Sequence, residues 1–245
     1  MEDKTQNPQE QPSTNITEIS ESWPRRAWAH LESVRRASPL IQCITNFVSM
    51  DLVANVLLAA GASPAMIHSI QEIPDFAPKT HALYVNVGTL TPDWLPRMKT
   101  AGRTCRHSLM LTDLFQGVDS MHDSADAVEA AKSLAQVTGS VVAVSGAVDI
   151  VTDGQRLVGA RNGVAMLQKI TATGCSVTAL IAAFVAIDPL RPFEATATAL
   201  SVFGLAAEIG MEMAKGPASL RMHLIDALYG LDRDIVHRRT NISHM

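Results

Sequence analysis

The residues whose types and spacing best suit chemistry lie in one run, Thr171-Ala172-Thr173-Gly174-Cys175, continued by Ser176, Val177, Thr178 and Ala179. A turn of small polar residues that begins near Lys169 leads there straight into a helix-forming stretch. At a helix start the first backbone N–H groups lack intrahelical partners, and the helix dipole adds partial positive charge. Phosphate oxygens, or the negative charge that builds on a phosphoryl group in transfer, are stabilised by such a terminus. The run equally fits an ordinary N-cap in which Thr173 or Ser176 satisfies the helix end. Cys175 carries a matching ambiguity. A thiol at a helix N-terminus can act as base or nucleophile, whereas small buried cysteines are commonly inert packing.

Ser145 closes the apolar run that starts at Ser140 and is followed by Gly146. Ligands of open α/β sheets bind outside the carboxyl ends of the strands, so this position is a candidate; a strand-end hydroxyl bonding its own turn is the other reading. Asn46 and Met66 close earlier strand-like runs in the same way. Taken singly, a methionine such as Met66 serves equally as core packing.

The elements that position these residues can be read from periodicity and punctuation. Apolar positions Trp23, Ala27, Trp28, Leu31 and Val34 recur at helical spacing between Glu21 and Arg36. Strands are expected over Pro39–Ile44, Pro64–Ile67 and Ala82–Val87, and helices over Met50–Ala60, Ile70–Phe76 and Pro92–Cys105. Short apolar strands alternating with helices imply crossovers and a mainly parallel sheet. Beyond a helix over Ser124–Val137, Ser140–Ser145 reads as the clearest buried strand. The Asp153-Gly154 pair between two β-prone arms, Ile150 to Gly159, marks a hairpin that adds an antiparallel edge. The remainder is helical, over Ser176–Ala186, Pro192–Lys215 and Ala218–Leu231. The expected class is α/β, with a mainly parallel central sheet, helices on both faces, one antiparallel hairpin edge and a helical C-terminal third. Residues 1–20 read as a polar tail, 21–232 as one domain and 233–245 as a second tail.

Composition narrows the partners. At 47% hydrophobic and 18% charged, 245 residues suffice for one substantial core. A net charge of −4 with no clustered Lys and Arg argues against nucleic acid. Cys43, Cys105 and Cys175 have no C-x-x-C spacing, which points to reduced thiols and a cytoplasmic protein and gives no support to zinc. No signal-like segment or bilayer-length apolar stretch stands out; Val177–Ile187 is about half the required length.

Several runs, taken in order, resemble hydroxyethylthiazole kinase. They are Gln42–Asn55, Gly61–Met66, Asn86–Leu90, Ala143–Asp149, Asn162-Gly163, Lys169–Ala179 and Gly216–Arg221. They extend over most of the chain from Ser38 to Leu231. The resemblance implies a ribokinase-like three-layer α/β/α fold, a homotrimer, and ATP- and magnesium-dependent phosphorylation of the hydroxyethyl arm of a methylthiazole, a step of thiamine salvage. Carried over by position, Asn46, Val48 and Met66 would line the thiazole pocket and Ala172 would contact substrate through its backbone. Ser145 and Thr171 would face ATP, and Gly174 with its neighbours would form the anion hole. Cys175 would stand where related sugar kinases keep a catalytic aspartate, and would tune the rate of a reaction that runs mainly on positioning and electrostatics. Ala172 replaces a glycine common in the family.

The resemblance stops between Arg106 and Gly117. An Asp-Pro-Val-Gly-Ala-Gly type run and an Arg-Gly-Asn-x-Ser-Glu type run, which in the family supply an arginine for ATP and carboxylates for magnesium, are absent. The shortfall is on the order of 40 residues, about one strand–helix–strand unit. No metal ligand is therefore assigned, and Asp113 is given no catalytic role. Two expectations follow: a thiazole kinase of impaired activity, or a non-catalytic subunit that binds substrate or joins full-length trimers.

Overall fold

The structure is a computed structural model that describes residues 22–88, 90–105, 108–112 and 124–245, with backbone alone at 108–112 and 124–125. Helix α1 (Trp23–Ala37) leads into β1 (Leu40–Ile44), α2 (Met50–Ala60), β2 (Ser63–Ala65), the single turn α3 (Ile73–Phe76), β3 (Ala82–Asn86), α4 (Trp94–Thr104) and β4 (Ser108–Thr112). The four strands form one parallel sheet in the order β2-β1-β3-β4. Both faces are covered, and the alternation of side chains shows why. On β1 and β3, Ile41, Cys43, Ala82 and Tyr84 enter the main core, while Ile44, Leu83 and Val85 enter a second core with Ile73, Trp94 and Met98 from α3 and α4. Helices on either side of a parallel sheet are the expected layering. Gly61, at φ 93°, ends α2 in the left-handed conformation that glycine adopts without strain.

Helix α5 (Ser124–Thr138) precedes β5 (Val142–Val144), β6 (Asp149–Thr152) and β7 (Leu157–Ala160). The Asp153-Gly154 hairpin forms as the sequence predicts, with the Asp153 carboxylate accepting the N–H groups of Gln155 and Arg156. It is not an edge of the parallel sheet. Together with β8 (Ile242–His244) these strands make a separate antiparallel sheet, β5-β6-β7-β8. Nor is β5 the buried strand its composition suggests: Val142 and Val144 are half-buried and Ala143 is exposed. Among the described residues β5 pairs with β6 alone and β4 with β3 alone, so each sheet ends on an open edge.

The C-terminal third packs as α6 (Thr173–Ile187), α7 (Pro192–Met213) and α8 (Pro217–Gly230). Helix α6 is buried nearly all round and lies against β1, β3 and β4. Residues 233–245, expected as a tail, instead fold as α9 (Arg233–Arg239) and β8. Asp232 accepts the Ile235 N–H to cap α9, Val236 is buried, and β8 completes the ladder on β7. No helix among the described residues is long and apolar enough to cross a membrane.

Candidate active site

The carboxyl ends of β1 and β3 meet the first turn of α6. Asn86, the last residue of β3, is 1% exposed and its amide nitrogen donates both to Thr45 Oγ1 at 3.1 Å and to Cys175 Sγ at 3.2 Å. Its carbonyl oxygen accepts the Gly88 N–H at 2.9 Å. One side chain thus ties the end of β1, the loop after β3 and the start of α6. Thr45 Oγ1 lies 2.6 Å from Ser49 Oγ, and Asn46 Oδ1 accepts the Ser49 N–H at 3.0 Å, fixing the loop that enters α2. Val48 and Phe47 project outward from that loop, 71% and 79% exposed. Met66 follows β2 directly and packs against the main core.

The helix start itself is decided by its hydrogen bonds. Thr173 Oγ1 donates to the carbonyls of Leu167 and Ile170, and Ser176 Oγ to that of Ala172. Neither hydroxyl caps an N–H group, and α6 has no side-chain cap. The N–H groups of the first turn, around Gly174 and Cys175, are thereby left for a ligand. Ala172, the residue before α6, is held at φ 70°, where a Cβ is strained and a glycine is not.

Of the thiols here, the one buried in β1 is inert, because burial pushes Cys43 up to about 12. Cys175 is also buried, but its sulfur receives the Asn86 amide. The Tyr84 hydroxyl faces Thr45 and Cys175 without a hydrogen bond of good geometry, and burial above all raises its pKa. None of the hydrogen-bond partners in this cluster is a carboxylate, and no three His, Cys, Asp or Glu side chains converge among the described residues. These donors do not fit a protein-held magnesium site, which calls for carboxylate oxygens.

Ser145 and Thr171 are exposed and share no hydrogen bond with this cluster. Ser145 stands in the turn between β5 and β6, where the Asp149 carboxylate accepts the Gly146 N–H at 2.9 Å. Burial pushes Asp149 up to about 6 against the opposing pull of that N–H. Two other runs that carried the resemblance serve packing. Asn162 is held by Ser201, Glu208, Arg239 and Asn241, and Ser219 caps the start of α8 by accepting from Lys215 and Gly216. Asp113 lies outside the described residues. Sequence reasoning gave Asn86 no role, although a polar residue ending a wholly buried apolar strand was a usable signal.

The model of the Hydroxyethylthiazole kinase family matches residues 31–110 and 105–234. A hydroxyethylthiazole kinase of Arabidopsis thaliana is 54% identical, over 91% of this chain and 96% of its own. One of Zea mays is 53% identical over 90% and 94%, and one of Cereibacter sphaeroides 40% identical over 85% and 95%. A solved hydroxyethylthiazole kinase structure from Pyrococcus horikoshii superposes with TM-score 0.83 at 32% identity, over 89% of this chain and 98% of that one. A hypothetical protein of Streptococcus mutans, at TM-score 0.60 and 10% identity, shares the fold. Matches of this extent over both halves of the chain place it in the hydroxyethylthiazole kinase family.

Proposed function

We propose that this chain binds a hydroxyethyl-substituted methylthiazole and transfers to its hydroxyl the γ-phosphoryl group of ATP, with turnover lowered by the loss of a central segment. The observation that carries the reading is the uncapped first turn of α6 beside a buried thiol held by Asn86, at the carboxyl ends of β1 and β3. In it, Asn46, Val48 and Met66 bound the thiazole and the Ala172 backbone meets the substrate. The hydroxyl oxygen attacks the γ-phosphorus, the bond to ADP breaks, and the hydroxyl proton ends on an oxygen of the transferred phosphoryl group, with Cys175 beside it tuning the rate. The N–H groups around Gly174 face the phosphoryl oxygens as charge builds. Ser145 and Thr171 face the nucleotide; magnesium, for which this cluster offers no carboxylate, would supply charge to the transferring phosphoryl group if the nucleotide carried it.

Lowered turnover has two supports. The family model matches in two pieces that meet at residues 105–110. Also, 91% of the 245 residues is about 223, so about 43 of the 266 positions aligned with the Arabidopsis thaliana relative have no residue here. The break between the two matches falls at β4, and among the described residues β4 and β5 each stand at a sheet edge. Those edges also favour the second reading, a non-catalytic subunit that joins full-length trimers. A cytoplasmic trimer is the assembly proposed, of this chain alone in the first reading and mixed with full-length subunits in the second. An assay of ATP-dependent phosphorylation of the thiazole alcohol, on folded and monodisperse protein, tests the first reading. Slow, measurable turnover is expected, and none at all overturns catalysis. Co-purification with a co-expressed full-length relative tests the second.

A further inference from the structure

His68 stands between the two loops assigned to the thiazole. Its Nε2 lies 3.3 Å from the Thr45 backbone nitrogen and its Nδ1 2.8 Å from the Met66 carbonyl oxygen. A backbone N–H can only donate and a carbonyl can only accept, so the ring is neutral with its proton on Nδ1. The imidazole therefore links the residue before Asn46 to Met66 itself. Trp94 packs edge-on against the ring at 5.0 Å and against Phe47 at 5.7 Å, so one indole backs both loops. The charged group bearing on the imidazole is Arg97 of α4, whose guanidinium sits 5.4 Å from the Trp94 ring. No carboxylate acts on His68. Burial, and then Arg97, disfavour the protonated ring, as does the Thr45 N–H donated to Nε2, while the Met66 carbonyl, which accepts from Nδ1, acts the other way.

We infer that His68 is a positioning residue whose neutral imidazole holds the Asn46–Val48 loop against Met66, and that its protonation loosens thiazole binding. This rests on the substrate assignment proposed above. A proton on Nε2 would turn the acceptor into a donor facing the Thr45 N–H, and the link between the loops would break. The functional consequence is a pocket whose affinity falls in acid with no titrating group touching the substrate.

Calorimetric titration of the whole chain with the thiazole alcohol, at pH 8 and pH 5.5, tests the inference. The unsubstituted protein should lose affinity at the lower pH by a few-fold and less than about tenfold, because burial leaves the ring only partly protonated at pH 5.5. His68→Gln, which keeps an acceptor near the Nε2 position and does not titrate, should lose much less. His68→Phe should bind weakly at both. Parallel losses in the unsubstituted protein and His68→Gln would assign the effect to the ligand or another group and overturn the inference. So would unchanged affinity of His68→Phe at pH 8. If no variant binds the alcohol, the substrate assignment fails, and hydrogen exchange of the Thr45 amide in the ligand-free protein decides the link. Exchange about tenfold faster in His68→Phe than in the unsubstituted protein at one pH supports it, and equal rates overturn it.

Discussion

The two sides of the candidate site are built to different standards. On the substrate side, Thr45, Ser49, Asn86 and Cys175 are all at most 3% exposed and linked by hydrogen bonds that span three elements. On the nucleotide side, Ser145 is exposed at the end of a three-residue strand that has one neighbour among the described residues. Parallel strands depend on partners at both edges, and on the substrate side β1 and β3 have them. A chain divided in this way should retain recognition of the alcohol more fully than it retains catalysis.

The largest expected effect tests that division directly. Against a full-length relative, kcat should be lower by about 100-fold or more, the scale of losing one charge-stabilising group. The Kd for the thiazole alcohol should stay within a few-fold. Equal losses in both, measured by steady-state kinetics and calorimetry, would break the contrast. Next, Asn86→Ala strips hydrogen bonds from Thr45 and Cys175 inside a buried cluster, and should lower stability by about 2–3 kcal/mol in urea titrations. A loss under about 0.5 kcal/mol would show that the cluster does not hold the substrate side together.

Asp149→Asn probes the other side and should act in the opposite direction. With its pKa raised to about 6 from 3.8, Asp149 binds more protons folded than unfolded, so its contribution to stability falls as pH rises through that interval. The asparagine should therefore raise stability at pH 7.5 by up to about 2 kcal/mol, and leave it nearly unchanged at pH 4. A gain of equal size at both would remove the carboxylate as its cause. His30 and His68 carry the reverse sign. Burial lowers both below 6.5, so their stability is present above pH 6.5 and lost as pH falls toward their folded values. The smallest effect belongs to Ala172, where Ala172→Gly relieves a left-handed backbone and should stabilise by about 0.5–1 kcal/mol. A loss of stability there would mean that the methyl group packs more than it strains.

The limits of what could be read from the sequence follow the same division. Helix α2 was legible to the residue because an apolar face, a start signal and Gly61 are all local. The burial of β5 was not, since an apolar run reports its own side chains and is silent about whether neighbouring strands are present. Residues 233–245 looked like a tail because their order rests on one buried valine, one aspartate cap and a ladder to a distant strand. Gly174 and Cys175 could be singled out from residue types at a helix start, Ala172 only through the family resemblance. Their uncapped N–H groups could not, because Thr173 and Ser176 are good capping residues that here bond carbonyls. His68 left no trace in one dimension. Its meaning lies in two loops separated in the chain and joined by the two nitrogens of one ring.

Helix α1 has a consequence for how this protein is made. His30 lies 2.7 Å from Thr198 and 3.0 Å from Asp188, and Arg35 donates to the carbonyls of Leu228, Tyr229 and Leu231. The helix translated before β1 thus finds its partners in segments synthesised some 160 to 200 residues later. Until α6, α7 and α9 leave the ribosome, its face of Ala27, Leu31 and Val34 lacks most of its cover. Contacts of such sequence separation slow folding and make the nascent N-terminal half a client for holding factors, not an independent folding unit.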